Sequence, residues 1–183
     1  MLTFIILIIL LYSFYVGYRK GLVLQVVKVA SFSLTTLFAS SFAQKLTPYL
    51  EMIVPFPSVQ RTSDLALYNQ QASFQVDEAF YRAISFVLVF FIGWLLTQFV
   101  LAALRPLSYF EGFHYVNRLG GGFVNLLITF TFIFVGLFIL SLIPIEWIQQ
   151  QFVNNPIAFR IVSSTPILSE WAQQAWFQFN PFN

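Results

Sequence analysis

The chain of 183 residues contains no cysteine and a single histidine. The first absence excludes disulfides, thiolate metal sites and cysteine nucleophiles. The second leaves too few soft ligands for a zinc centre. Charge is equally scarce, at 9% of residues, where soluble domains hold about 25%. No basic run exceeds two residues and the net charge is only +2, which excludes an electrostatic nucleic-acid surface. In place of charge stand 58% hydrophobic residues, among them 24 Phe, and a mean hydropathy of +0.78. A single domain of this length could not hide that much apolar surface from water, so the bilayer must be its main solvent.

Four apolar runs reach the roughly 20 residues needed to cross a hydrocarbon core. They cover residues 2–18, 21–43, 80–104 and 120–143, and none contains an acidic residue. The fold class expected is an all-α integral membrane protein, a single membrane domain over residues 1–183. It has four transmembrane helices, a long extracytoplasmic loop over residues 44–79 and amphipathic helices in the tail, residues 144–183. The first run lacks the basic flank and small-residue cleavage pattern of a signal peptide, so it is expected to remain as a span. Pro48, Pro55 and Pro57 are expected to break helix early in the long loop, with Ser63 and Asp64 capping a short polar helix. In the tail, Pro144, Pro156 and Pro166 each suit the first turn of a short helix. Ile167, Leu168, Trp171, Ala175 and Trp176 recur at helical spacing. That helix either lies along the membrane interface with its Trp rings at headgroup depth, or docks on the bundle.

Arg19 and Lys20 sit between Gly17 and Gly21 in "GYRKG", where two runs meet. The segment reads as the tight turn of a helical hairpin, with glycines that allow bending and close helix approach. Basic residues in short loops stay cytoplasmic. That rule places both chain ends and the long loop outside. The short loop carrying Arg105 and Arg118 then lies inside.

Polar residues are unevenly spread over the spans. In the second, Ser31, Thr35, Ala39 and Ala43 form one stripe of small residues suited to helix contact, widened by Ser33, Thr36, Ser40 and Ser41. Hydroxyls bonding back to their own helix are the alternative, which so regular a stripe argues against. Lys28 shares a face with Gln25 and lies about 10 Å into the helix at the usual rise. It either snorkels toward the cytoplasmic face or meets an aqueous path or a partner. In the fourth span Arg118, Gly121 or Gly122, Asn125 and Thr129 read as one face, and Asn125 must bond to another helix. Gly93, in the Phe-rich third span, is expected to have no packing role.

Three segments, "GYRKGLVLQVVKVASF", "NRLGGGFVNLL" and "STPILSEW", resemble the colicin V production protein family, most of all its Gram-positive members, across essentially the whole chain. The resemblance implies a four-span bacterial inner-membrane protein. It matches Gly17, Arg19 or Lys20, and Gly21 to the family's glycine-bracketed basic turn, and Asn117, Arg118 and Gly121 to its Asn-Arg-x-x-Gly segment. The chain departs from the pattern in two places: Gln25 stands where the family often has Glu, and Asn125 and Ile128 where a glycine and a basic residue often follow.

The function this implies is a non-enzymatic accessory or scaffold role in bacteriocin or toxin production, secretion or envelope maintenance. The alternative is an oligomeric channel or small-molecule transporter. Partners expected are the lipid bilayer and a membrane protein or second copy, with no nucleic acid and no cofactor. Catalysis by a Ser-His-Asp set would need His114 to meet Asp64 or Asp77, which the predicted topology puts across the membrane.

Overall fold

The computed structural model describes residues 2–56, 65–68, 75–103 and 114–177. Seven α-helices, and no strand, occur among the described residues. Four are long: α1 (Leu2–Lys20), α2 (Leu22–Ile53), α3 (Val76–Ala103) and α4 (His114–Leu142). Three short helices follow: α5 (Glu146–Val153), α6 (Pro156–Ser164) and α7 (Leu168–Ala172), the last continued by a π-helical turn, Gln173–Phe177. Each long helix has the length and apolarity to cross a membrane, and at most 22% of its apolar stretch is buried by protein. Side chains such as Phe4, Leu11 and Phe99, each more than two-thirds exposed, therefore need lipid around them.

The four spans stand where the apolar runs predicted them, but their ends do not. α2 runs ten residues beyond 43, through Pro48, which the sequence had suggested as a breaker. A proline inside a helix costs about 3 kcal/mol. Tertiary contact offsets this: Thr47 is buried and its hydroxyl meets Ala43 O at 2.9 Å and Ser85 Oγ at 3.1 Å, and Leu50 is buried one turn on. The break comes at Val54, just before Pro55, where Tyr81 donates its hydroxyl to the Val54 carbonyl at 2.7 Å. α4 likewise starts six residues before 120, with Gly120, Gly121 and Gly122 inside it. The expected cap at Ser63 and Asp64 lies outside the described residues.

The contacts divide the chain into two compact parts. One comprises Phe4–Ala39 and Leu88–Ile133; the other comprises Met1–Thr3, Ser40–Val87 and Phe134–Asn183. In the second part the core is aromatic. Phe138 meets the Trp176 ring at 4.8 Å, and Phe86 meets Trp171 at 5.3 Å, so the tail is docked on helices by its tryptophans. Trp176 is 3% exposed and is not an interfacial anchor; Trp147, 70% exposed on α5, is the tail's uncovered indole. Gln149 closes the end of α4, donating to Ser141 O at 3.0 Å and Ile143 O at 2.8 Å while accepting from the Ala66 N–H at 3.0 Å. The Tyr68 hydroxyl lies 2.6 Å from Ser141 Oγ, and its burial pushes its pKa well above the ordinary phenol value. Of the three tail prolines, only Pro156 occupies a first helical turn; α5 and α7 begin two residues after Pro144 and Pro166. Ile167 takes φ 68° and ψ −51°, the strained geometry of a γ-turn closed by the Leu168 N–H on the Pro166 carbonyl at 2.8 Å, as α7 turns to seat Ser169 on the Val162 carbonyl.

Candidate functional site

Gly17, Arg19, Lys20, Gly21, Gln25, Lys28, Asn117, Arg118, Gly121 and Asn125 all lie in the part formed by Phe4–Ala39 and Leu88–Ile133. The hairpin turn is shorter than its charges suggested. Arg19 and Lys20 form the last turn of α1, both exposed, where positive charge opposes the negative end of the helix dipole. Gly21 alone makes the reversal, with φ 76° and its N–H on the Gly17 carbonyl at 3.0 Å. Glycine adopts this geometry without the clash that a Cβ would bring. α2 starts at once, with no Ser, Thr or Asp before it to accept its free N–H groups. Asn117 of α4 serves instead, its Oδ1 accepting the Leu22 N–H at 2.7 Å.

One turn along α4, Gly121 lies against backbone. A Cβ there would stand 2.5 Å from the Gly21 carbonyl carbon and 2.7 Å from Gly17 O. A Cβ on Gly17 would meet the Gly121 carbonyl and come 2.5 Å from the Asn125 Cβ. Backbone cannot rotate aside, so any side chain here must push helices apart. Gly93 corrects the expectation for the third span: a Cβ there would run into the Thr35 side chain, so this glycine also permits a helix contact.

A further turn on, Asn125 is 5% exposed and fully engaged across the hairpin. Its Nδ2 donates to Ser13 O at 2.6 Å, and its Oδ1 accepts from Lys28 Nζ at 3.0 Å. The Lys28 ammonium also lies 5.6 Å from the Phe32 ring centroid. Lys28 is turned onto a neighbouring helix, with an amide rather than a carboxylate as partner. The contacting face of α4 is thus Asn117, Gly121 and Asn125, in steps of four that keep to one ridge. Arg118 falls beside that face: it is exposed, with its guanidinium 5.8 Å over the Tyr18 ring.

Gln25 is 1% exposed, and its Oε1 has no hydrogen-bond donor among the described residues. Leaving a buried amide oxygen unpaired costs about 1–3 kcal/mol. The hydroxyl stripe of α2 has a mixed fate. Ala39 and Ala43 are buried, as a contact stripe requires, but Ser33, Thr35 and Thr36 donate to the carbonyls four residues back. The back-bonding that the stripe's regularity argued against does occur, because in hydrocarbon the nearest acceptor is a hydroxyl's own helix.

The arrangement can brace three helices. Among the described residues no group of three His, Asp or Glu is placed to hold a metal ion. Sequence reasoning missed the Ser13 carbonyl as an acceptor, since a backbone oxygen leaves no mark in side-chain chemistry. It also missed the capping role of Asn117, whose partner lies 95 residues away.

Two stability predictions follow from these contacts. Gly121→Ala should lower unfolding stability in detergent by about 1–3 kcal/mol through overpacking. Gly136→Ala, with nothing within 4 Å of its Cβ, should be neutral or gain up to about 1 kcal/mol of helix propensity. Equal tolerance at both positions would remove the backbone-contact argument. In a double-mutant cycle, Asn125→Leu and Lys28→Leu should couple by about 1 kcal/mol, because each removes the other's partner. Strict additivity would mean that the bond contributes nothing in the membrane-mimetic state.

The model of the family described as colicin V production protein matches residues 2–166, nearly all of the helical hairpin, the later spans and the start of the tail. A curated relative, "Uncharacterized transmembrane protein YshB" of Bacillus subtilis (strain 168), is 30% identical over 182 residues, 98% of this chain and 99% of that protein. No solved structure matches the chain significantly. The four spans, the glycine-bracketed turn that Asn117 caps and the match over residues 2–166 together make this multi-pass membrane protein a member of the colicin V production protein family.

Proposed function

We propose that the protein works as one membrane domain, a non-enzymatic accessory or scaffold in bacteriocin production, secretion or envelope maintenance. It acts by holding a membrane-protein partner or a second copy of itself. The observation that carries this reading is that Lys28, Asn125 and three hydroxyls of α2 are bonded within the protein. Lys28 is bonded to Asn125, Asn125 to Ser13, and the Ser33, Thr35 and Thr36 hydroxyls to their own helix. A hydrated conduction path needs such groups facing water. The second reading, an oligomeric channel, draws on Gln25 Oε1, a buried acceptor without a donor among the described residues.

In this proposal both chain ends and the segment after α2 are extracytoplasmic. Support comes from charge: Arg19 and Lys20 end α1, and Arg118 follows directly on the asparagine that caps the turn. Three cations thus gather at one end of the hairpin, as short cytoplasmic loops require.

Topology is testable because the chain has no cysteine. An impermeant thiol reagent on intact cells should label Met52→Cys, at a position 75% exposed near the end of α2, and spare Lys20→Cys. The reverse pattern would invert the orientation. For the activity, purified protein in liposomes should pass ions and small solutes no faster than protein-free vesicles, while Lys28→Leu still complements a deletion strain under envelope stress. Flux that Lys28→Leu abolishes would replace the scaffold reading with the channel.

A further inference from the structure

A cleft of about 500 Å³ lies wholly within the part that contains Ser40–Val87 and the tail. Gln44, Thr47 and Glu51, spaced by three and four along α2, line one wall. Glu78 and Arg82 of α3 line the other, over a base formed by Phe86 and Trp176. Three of the lining polar side chains are paired. Arg82 is bonded to Glu78 and donates to the Trp176 carbonyl at 3.2 Å, while the Thr47 hydroxyl is held by Ala43 and Ser85. Gln44 and Glu51 are not: neither has a hydrogen-bond or ion-pair partner among the described residues. With Glu78 and Arg82 neutralising each other, one carboxylate of negative charge remains to face the void.

The level of the cleft follows from helix length. The 32 residues of α2 extend roughly 48 Å at 1.5 Å per residue, well beyond a ~30 Å hydrocarbon core. Lys45 and Glu51 are the charged residues of its C-terminal half, the part that exceeds that core when Leu22 is taken at one face.

From this we infer that the cleft between α2 and α3 binds a primary ammonium group, with Glu51 as counter-ion and the Gln44 side-chain carbonyl as a second acceptor. The aromatic base accommodates a short methylene stem. An anion is disfavoured because the one guanidinium is already paired, and the residual charge repels it. A divalent metal would need more than the two carboxylates present. The ammonium could come from an aminophospholipid headgroup or from a free alkylamine, and the two sources separate by experiment. The inference goes beyond the accessory role and does not depend on it.

The test uses the full chain, first in detergent and then in lipid nanodiscs. Ethylamine should raise the unfolding temperature saturably, whereas tetramethylammonium, which has no N–H donor, and sodium chloride at equal ionic strength should not. Glu51→Gln, at an exposed position, should fold as the parent does and bind ethylamine about tenfold more weakly, the loss of one charge-assisted hydrogen bond. Gln44→Ala should weaken it less. If the parent is stabilised by phosphatidylethanolamine in phosphatidylcholine discs, and Glu51→Gln is not, the headgroup is the ligand. A response to dissolved ethylamine in pure phosphatidylcholine discs assigns the free amine. An equal response from Glu51→Gln, an equal response to tetramethylammonium, or no response to either amine source overturns the proposal.

Discussion

Backbone against backbone at Gly121 is the contact on which the hairpin depends. A Cβ at that position would stand 2.5 Å from the Gly21 carbonyl carbon, so helices α1 and α4 cross with no side chain between them. Lipid tails are as apolar as leucine, and burial alone therefore gives transmembrane helices no reason to associate. Close approach supplies dispersion contacts instead, and it brings polar groups within bonding range. Asn117, one turn before Gly121, reaches the Leu22 N–H; Asn125, one turn after, reaches Ser13 and Lys28. Each asparagine bond exists because the glycine between them let the helices meet.

Lys28 gains most from that arrangement. A lysine at the bilayer centre costs at least about 2.5 kcal/mol on insertion scales, and no carboxylate lies in the spans to offset it. A neutral amide is a weaker partner than a carboxylate, but it imposes no second buried charge. Gln25, three residues earlier, has no such provision, and its unpaired oxygen is the one polar cost inside the hairpin without compensation among the described residues.

The part that contains the tail is held together by other means. Edge-on and tilted aromatic contacts dominate, with Trp176 against Phe86 and Phe138. Polar side chains there mend interruptions in the helices. Gln149 accepts and donates at the end of α4, Tyr81 holds the Val54 carbonyl before Pro55, and Thr47 anchors α2 beside Pro48. These repairs let helices end or continue against local preference, and they leave one face of α2 free to line a charged cleft.

The spans were legible in the sequence because crossing hydrocarbon demands an uninterrupted apolar run, a property of consecutive residues. The glycine turn was legible for a similar reason, since a reversal between two such runs leaves few conformations. Helix ends were not. Pro48 reads as a stop, but the bonds of Thr47 to Ser85, 38 residues away, carry the helix past it. On α4, Gly121 and Asn125 stand on the contacting face as expected, but Asn117 rather than Arg118 begins it, because periodicity names a face only to within one position and says nothing of what it meets. Gly93 and Gly121 look alike in sequence, and only the residue opposite shows that both admit a neighbour. The tail's tryptophans fit the membrane interface and a docked helix equally well, and the choice fell to Phe86 and Phe138 on distant segments. Composition and the order of apolar runs determined that this chain lives in a bilayer. Which polar groups pair there was decided by contacts between residues roughly a hundred positions apart, which no local pattern encodes.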